Sequence, residues 1–159
     1  MKFAELAIPE DFVADEAPDI ARALTIYGDL YEGMDPNSMY FAEEVLLATF
    51  PVGADASISV VRDNQNVIQA AAWLRFRPHR DADYLEGIAV DGPLRRTELR
   101  KGRGFGRFLM ERLIEVSRTH GQSAIELRPM TDVAPFYERL GFHTIEQRPN
   151  IMRLDIPRP

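Results

Sequence analysis

Three glycines at alternate positions, Gly102, Gly104 and Gly106, lie among Arg100, Lys101, Arg103 and Arg107 in RKGRGFGRFLMERLIEV, a stretch that runs on into apolar residues. At the mouth of a helix these residue types suit an anion. The first N–H groups of a helix lack an intrahelical acceptor, its macrodipole adds about half a positive charge, and glycine lets a bulky phosphate come close. A second group of chemical interest is Glu86, in DYLEGIAV. Period-2 alternation places Tyr84, Glu86, Ile88 and Val90 on one strand face, with Leu85, Gly87 and Ala89 on the other. The carboxylate then stands among apolar neighbours. A partly buried glutamate with a raised pKa can accept a proton; the plainer alternative is an exposed strand carboxylate, or one paired with a neighbouring arginine.

Spacing narrows the choice of anion. A P-loop needs Gly-Lys followed by Ser or Thr, which is absent. A dinucleotide fingerprint needs G-x-G-x-x-G after the first strand, whereas here G-x-G-x-G follows several strands. Glu126 imitates the ribose-binding acid of that fingerprint only by its distance downstream.

The elements that must position these residues are legible from periodicity. FAELAI is a short apolar start. APDIARALTIYGDLYEGM carries Ile20, Ala23, Leu24, Tyr27 and Tyr31 at helical spacing, and PNSMYFAEEVLLATF reads as a second helix stopped before Pro51. ASISVVRD, VIQAAAWLRFRP and DYLEGIAV are β-rich runs separated by NQN and HRDAD turns, which predicts an antiparallel meander. The glycine loop then opens a helix from Phe105 to His120 with an apolar stripe of Phe105, Leu109, Leu113 and Val116, closed by Gly121. SAIELRPM is a buried-type strand and DVAPFYERL a short helix closed by Gly141, capped by Asp132 or Thr131 ahead of Pro135. FHTIEQ and IMRLDI are final strands. The order β-α-α-β-β-β-α-β-α-β-β describes one mixed α/β (α+β) domain over residues 1–159, with no repeat or linker.

Composition bounds the chemistry. The chain has 159 residues, no cysteine, three histidines and a net charge of −6. There is no thiolate for a metal or a nucleophile, and His79, His120 and His143 lack metal-ligand spacing, so no metal is expected. No Ser, His and Asp arrangement stands out for nucleophilic catalysis. Residues 1–60 hold 12 acids and 2 bases, whereas Arg95 to Arg107 hold six bases and one acid. A local positive patch on an acidic protein suits a small polyanion better than nucleic acid. No apolar run approaches the about 18 residues that would span a bilayer and no leader is evident, so a cytoplasmic protein without membrane attachment is expected.

The sequence resembles the GNAT superfamily of acetyl-CoA-dependent N-acyltransferases. The family signature of Arg or Gln, two residues, Gly, one residue, then Gly or Ala is matched by KGRGFG, with Lys101, Gly104 and Gly106, after a strand ending in IAV. An aromatic, Tyr, a few residues and Gly-Phe is matched by FYERLGF, Phe136 to Phe142. The likeness covers about residues 55–155. Three features depart from it. Lys101 replaces the usual Arg or Gln, the run DGPLRRTELRKGR is about half a dozen residues longer than such loops usually are, and MTD stands where an asparagine is common before the last helix.

The resemblance implies a central sheet of about six or seven strands flanked by about four helices. It also implies acetyl-CoA as cosubstrate. Its pyrophosphate would sit on the backbone of Gly102, Arg103, Gly104, Phe105, Gly106 and Arg107, with Arg100 and Lys101 beside it. Its pantetheine would run along Ile88, Ala89 and Val90, with Phe136 nearby and the adenosine 3′-phosphate near Arg95, Arg96 and Arg100. Glu86, directly or through water, would be the general base toward an amine, and Tyr137 the general acid toward the departing thiolate. The acidic front hints at a cationic amine acceptor, a homodimer is allowed, and no covalent enzyme intermediate is needed. Two rivals remain: a non-catalytic acyl-CoA-binding sensor or interaction module of the same fold, and a nucleotide-binding oxidoreductase domain.

Overall fold

The computed structural model describes residues 1–7, 18–20, 22–23, 25–26, 55–91, 104–130 and 133–157. Its strands are β1 (Lys2–Ala7), β2 (Ala56–Arg62), β3 (Ile68–Arg75), β4 (Ala82–Val90), β5 (Ala124–Leu127), β6 (His143–Ile145) and β7 (Arg148–Asp155). Two helices, α1 (Phe105–Thr119) and α2 (Ala134–Arg139), precede β5 and β6 respectively. The seven strands form one sheet in the order β1-β2-β3-β4-β5-β7-β6, so the expected mixed α+β architecture is observed. The meander β2-β3-β4 is antiparallel, as its short turns require, and among the described strands the single parallel pairing is β4 with β5, bridged by α1.

Two apolar layers cover the sheet. On one face Leu109, Met110, Leu113 and Val116 of α1 pack with Ala70, Ala72, Leu74, Leu85, Ile125, Leu127, Met152 and Leu154. These helix positions recur every three or four residues, so burying one stripe removes them all from water, at roughly 1.5–3 kcal/mol for each large side chain. On the other face the helical residues Ile20, Ala23 and Ile26 cover Ile58, Val60, Ala71 and Trp73. The first front helix is thus observed in part. Leu24, Tyr27, Tyr31 and the expected second front helix lie outside the described residues.

Helix ends follow local chemistry. Gly104 is the N-cap of α1 at φ 70, a left-handed conformation that suits glycine. The short helix α2 begins after Val133, which offers no side-chain cap. The expected capping residues Thr131 and Asp132 lie outside the described residues, and Pro in the first turn loses nothing because that N–H has no helical acceptor.

Candidate functional site

Strand β4 departs from the alternation expected of it. In its register with β3, Leu74 faces Leu85 and Trp73 faces Gly87, leaving Glu86 as an extra residue. This is a β-bulge, and it turns the strand over. Leu85 is buried against α1, and Ile88 and Val90, three and five residues on, pack into the same layer, while Ala89 joins the layer on the opposite face. The expected grouping of Tyr84 and Glu86 with Ile88 and Val90 is therefore corrected. By alternation Tyr84, opposite Arg75, stands on the face away from α1, and Glu86 reaches that face too, because its carboxylate pairs with Arg75.

A second change occurs at the same place. The parallel pairing of β4 with β5 runs from Ala82 to Leu85 and stops there, so Glu86 to Val90 continue past the end of β5. The two strands part at the bulge. On the far side of this opening stands the start of α1, where the Phe108 N–H donates to the Gly104 carbonyl at 2.7 Å. Among the described residues no side chain caps this terminus, and its first turn holds no acid. Its leading N–H groups, those of Phe105, Gly106 and Arg107, are thus of the kind that receives an anion.

Three expected cofactor residues meet here. A Cβ built on Gly106 would lie 3.5 Å from Phe136 Cζ and 3.6 Å from Val90 Cγ2. The end of β4, the head of α1 and the head of α2 therefore converge on one glycine, from residues separated by up to 46 positions in sequence. Arg107 differs from a basic phosphate ligand: its guanidinium pairs with Glu111 at 3.0 Å along the exposed helix face, and its backbone N–H is what stands at the terminus. Arg95, Arg96, Arg100, Lys101, Gly102 and Arg103 lie outside the described residues.

Glu86 is largely withdrawn from water, its side chain 15% exposed. Burial raises its pKa above the ordinary 4.5, and this outweighs the opposing pull of Arg75 and Arg77. The carboxylate thus combines the two alternatives posed by the sequence, since it is perturbed like a proton acceptor and also paired with arginine. Tyr137 is 7% exposed, its ring edge-on to Phe136 at 5.2 Å and to Phe142 at 5.6 Å in the layer under α1. The aromatic contact is thus observed, and it ties Tyr137 to the residue that touches Gly106.

Sequence reasoning missed the charge row beside Glu86. Arg75, Tyr84, Glu126, Arg153 and His143 are successive partners across β3, β4, β5, β7 and β6. Glu126 accepts hydrogen bonds from Arg77 at 2.9 Å, from Arg148 at 2.6 and 3.2 Å, and from Arg153 at 3.2 Å. Burial alone would raise its pKa, but the hydrogen bonds from Arg148 and Arg77 bring it down to about 2. A carboxylate so occupied is poorly placed to receive a ribose, which weighs against the dinucleotide reading. The Arg77 guanidinium also lies 5.3 Å from the centre of the Tyr84 ring. The available sequence signal was the pair Arg75 and Arg77 at strand spacing in LRFRP, but nothing local ties them to Glu126, 49 residues beyond Arg77.

A serine, a histidine and an aspartate do come together under α1. The Ser117 hydroxyl donates to buried Asp83 at 2.9 Å, and His120 Nδ1 lies 4.0 Å from the same carboxylate. The hydroxyl is committed to the carboxylate and not to the imidazole, so no base activates it. Asp83 also accepts the Arg77 N–H at 3.1 Å. The trio fastens α1 to β4.

Comparison with known proteins identifies the family and the fold. The sequence model of the Acetyltransferase (GNAT) family matches residues 20–142. The chain is 35% identical over 80 residues to a glucosamine 6-phosphate N-acetyltransferase of Trypanosoma brucei brucei. That match takes in 50% of this chain and 48% of the relative, so the chain spans about half the length of the curated relative it matches. Among solved structures, Tetrahymena GCN5 superposes with a TM-score of 0.69 at 13% identity, covering 99% of this chain and 97% of that one. The ribosomal-protein-S18-alanine N-acetyltransferase of Escherichia coli gives 0.64 at 20% identity, covering 99% and 96%. At such identities these two structures establish the fold.

Proposed function

Because the chain belongs to the acetyltransferase (GNAT) family, we propose that it is an acetyl-CoA-dependent N-acetyltransferase, moving an acetyl group to a primary amine by direct transfer in a ternary complex. The observation that carries this reading is the meeting of Val90, Gly106 and Phe136 beside a helix start that no described side chain caps, where β4 has parted from β5. The residues present fit the family's acyl-CoA: a helix head for a pyrophosphate, a glycine whose missing side chain leaves space between Phe136 and Val90, and a strand end beyond its neighbour's reach. When bound, that group supplies an acyl carbonyl activated as a thioester.

The chain's own residues then divide the work. The backbone from Gly102 to Arg107, with Arg100 and Lys101, holds the diphosphate, and Ile88, Ala89, Val90 and Phe136 hold the arm that follows it. An ammonium of pKa about 10 must lose a proton before its nitrogen can attack. Glu86 accepts that proton, directly or through a water, and its raised pKa brings it nearer to the working pH. Tyr137 donates its phenolic proton to the departing sulfur, a role supported by its place next to Phe136. On this reading the chain acts as one domain over residues 1–159, in the cytoplasm, with an amine acceptor and without nucleic acid or membrane as partners.

The test is thiol release with a panel of amines, glucosamine 6-phosphate among them. Glu86→Gln and Tyr137→Phe are each expected to lower kcat about 100-fold or more while coenzyme A binds as to the parent. Unchanged turnover in both variants would remove the catalytic assignment. Coenzyme A binding without turnover of any amine would favour the sensor of the same fold, and NAD binding without coenzyme A binding the oxidoreductase.

A further inference from the structure

On the face of the sheet that bears Glu86, the charges of the described residues do not balance locally. Arg75 is the partner of Tyr84 across β3 and β4, the Arg77 guanidinium lies 5.3 Å from the Tyr84 ring centre, and Arg128 follows Glu126, the partner of Tyr84 on β5, by two residues, while Glu86 follows Tyr84 by two. The other nearby carboxylate, Glu126, is already shared among Arg77, Arg148 and Arg153. Arg153 at the far end has Asp81 at 2.7 Å and Asp155 at 2.9 Å as further partners, so the excess of guanidinium lies toward Glu86.

Two of these groups have unused capacity. Arg128 is exposed and takes part in no hydrogen bond or ion pair among the described residues. Arg75 pairs with the Glu86 carboxylate through Nη2, while its Nε is buried and has no hydrogen-bond acceptor among the described residues. A guanidinium presents its N–H groups in one plane as a fork, and a carboxylate or phosphate is the acceptor that matches such a fork. With Nη2 on the proposed base and its side chain 44% exposed, Arg75 would hold an anion a short distance from Glu86 through the part of the guanidinium open to solvent.

We propose that the acceptor is an amine that also carries a carboxylate or phosphate only a few bonds from its nitrogen, bound through Arg75 and Arg128 on the Glu86 side of the sheet. This rests on the reading of Glu86 as the base toward an amine. It opposes the cationic acceptor suggested by the acidic front of the chain, a hint that draws mainly on residues outside the described ones. Arg128 recognises the anion, and Arg75 is a positioning residue that sets the distance from anion to base.

The experiment compares O-phosphoethanolamine, β-alanine, ethanolamine and putrescine, by calorimetric binding to the coenzyme A complex and by thiol release with acetyl-CoA. The first two bear a phosphate and a carboxylate, so they also distinguish which anion is preferred. At low salt an anionic amine is expected to exceed ethanolamine at least tenfold in affinity and in kcat/KM. Arg128→Gln should erase that advantage by raising KM for the anionic amine, so that its kcat/KM falls to the level of ethanolamine. Arg75→Lys should keep the charge, lose the fork and retain only part of the preference. Equal or better use of ethanolamine or putrescine by the parent would overturn the proposal and leave the amine acetyltransferase reading standing. Binding of an anionic amine that depends on Arg128, without turnover, would support the anion site and count against the reading of Glu86 as base. Failure of every amine to bind or react would refute the anion site.

Discussion

Replacing Glu126 by glutamine removes the one negative charge that Arg77, Arg148 and Arg153 share, with little change of shape. The fold holds the Glu126 pKa at about 2, against 4.5 for the free group. At about 1.36 kcal/mol per pKa unit, the ionised carboxylate therefore adds on the order of 3 kcal/mol to stability at neutral pH. Because the folded pKa is depressed, this contribution is complete well above pH 4.5 and disappears as the pH falls through about 2. Part of it remains at pH 3, about 1.5 kcal/mol. Urea unfolding of parent and Glu126→Gln at pH 7 and pH 3 measures both figures, and taking the difference between the proteins cancels the other carboxylates that titrate in the same range. The gap should narrow by about half on acidification. A gap that is small at pH 7, or equal at the two pH values, would falsify the claim that this carboxylate is held ionised by its three arginines.

Further outcomes follow from other contacts. Gly106→Ala places a methyl at ordinary contact distance from Phe136 and Val90 and replaces a poor helix former, so Tm is expected to stay level or rise while coenzyme A affinity falls severalfold; Gly106→Val should lower both. Burial puts the Glu86 pKa above 4.5, so the acidic limb of kcat/KM should inflect above that value, with the rate rising as Glu86 ionises, and Glu86→Gln should abolish the limb. Leu113→Ala, at a fully buried position of α1, should cost about 2–5 kcal/mol in denaturant titration without altering which amine is preferred.

Much of this molecule could be read before its fold was known. Helix α1 and the meander were legible because each carries its own period, and the helix head was legible because glycine and charge mark it locally. Strand β4 was misread for a physical reason: alternation assumes one partner residue per residue, and the extra residue at Glu86 is created by pairing with β3, which no window of sequence contains. The meeting of Val90, Gly106 and Phe136 is likewise a product of sheet order. The motifs named all three, while their shared contact depends on α1 carrying the chain from β4 to β5. Arg77 and Glu126 were invisible as a pair, since opposite charges so far apart in sequence acquire significance only once β4 and β5 lie side by side.

The bulge in β4 makes the length of this strand a chemical variable as much as its composition. Removing residue 86 altogether would let Leu85 and Gly87 follow one another opposite Leu74 and Trp73, giving an unbroken ladder on both sides of the former irregularity. Such a chain would keep its core and lose the candidate proton acceptor. Exchanging the side chain at 86 alters chemistry on a backbone already shaped to present it. Within this fold, an insertion or deletion of one residue between Leu85 and Gly87 is therefore a switch between a better sheet and a potential enzyme.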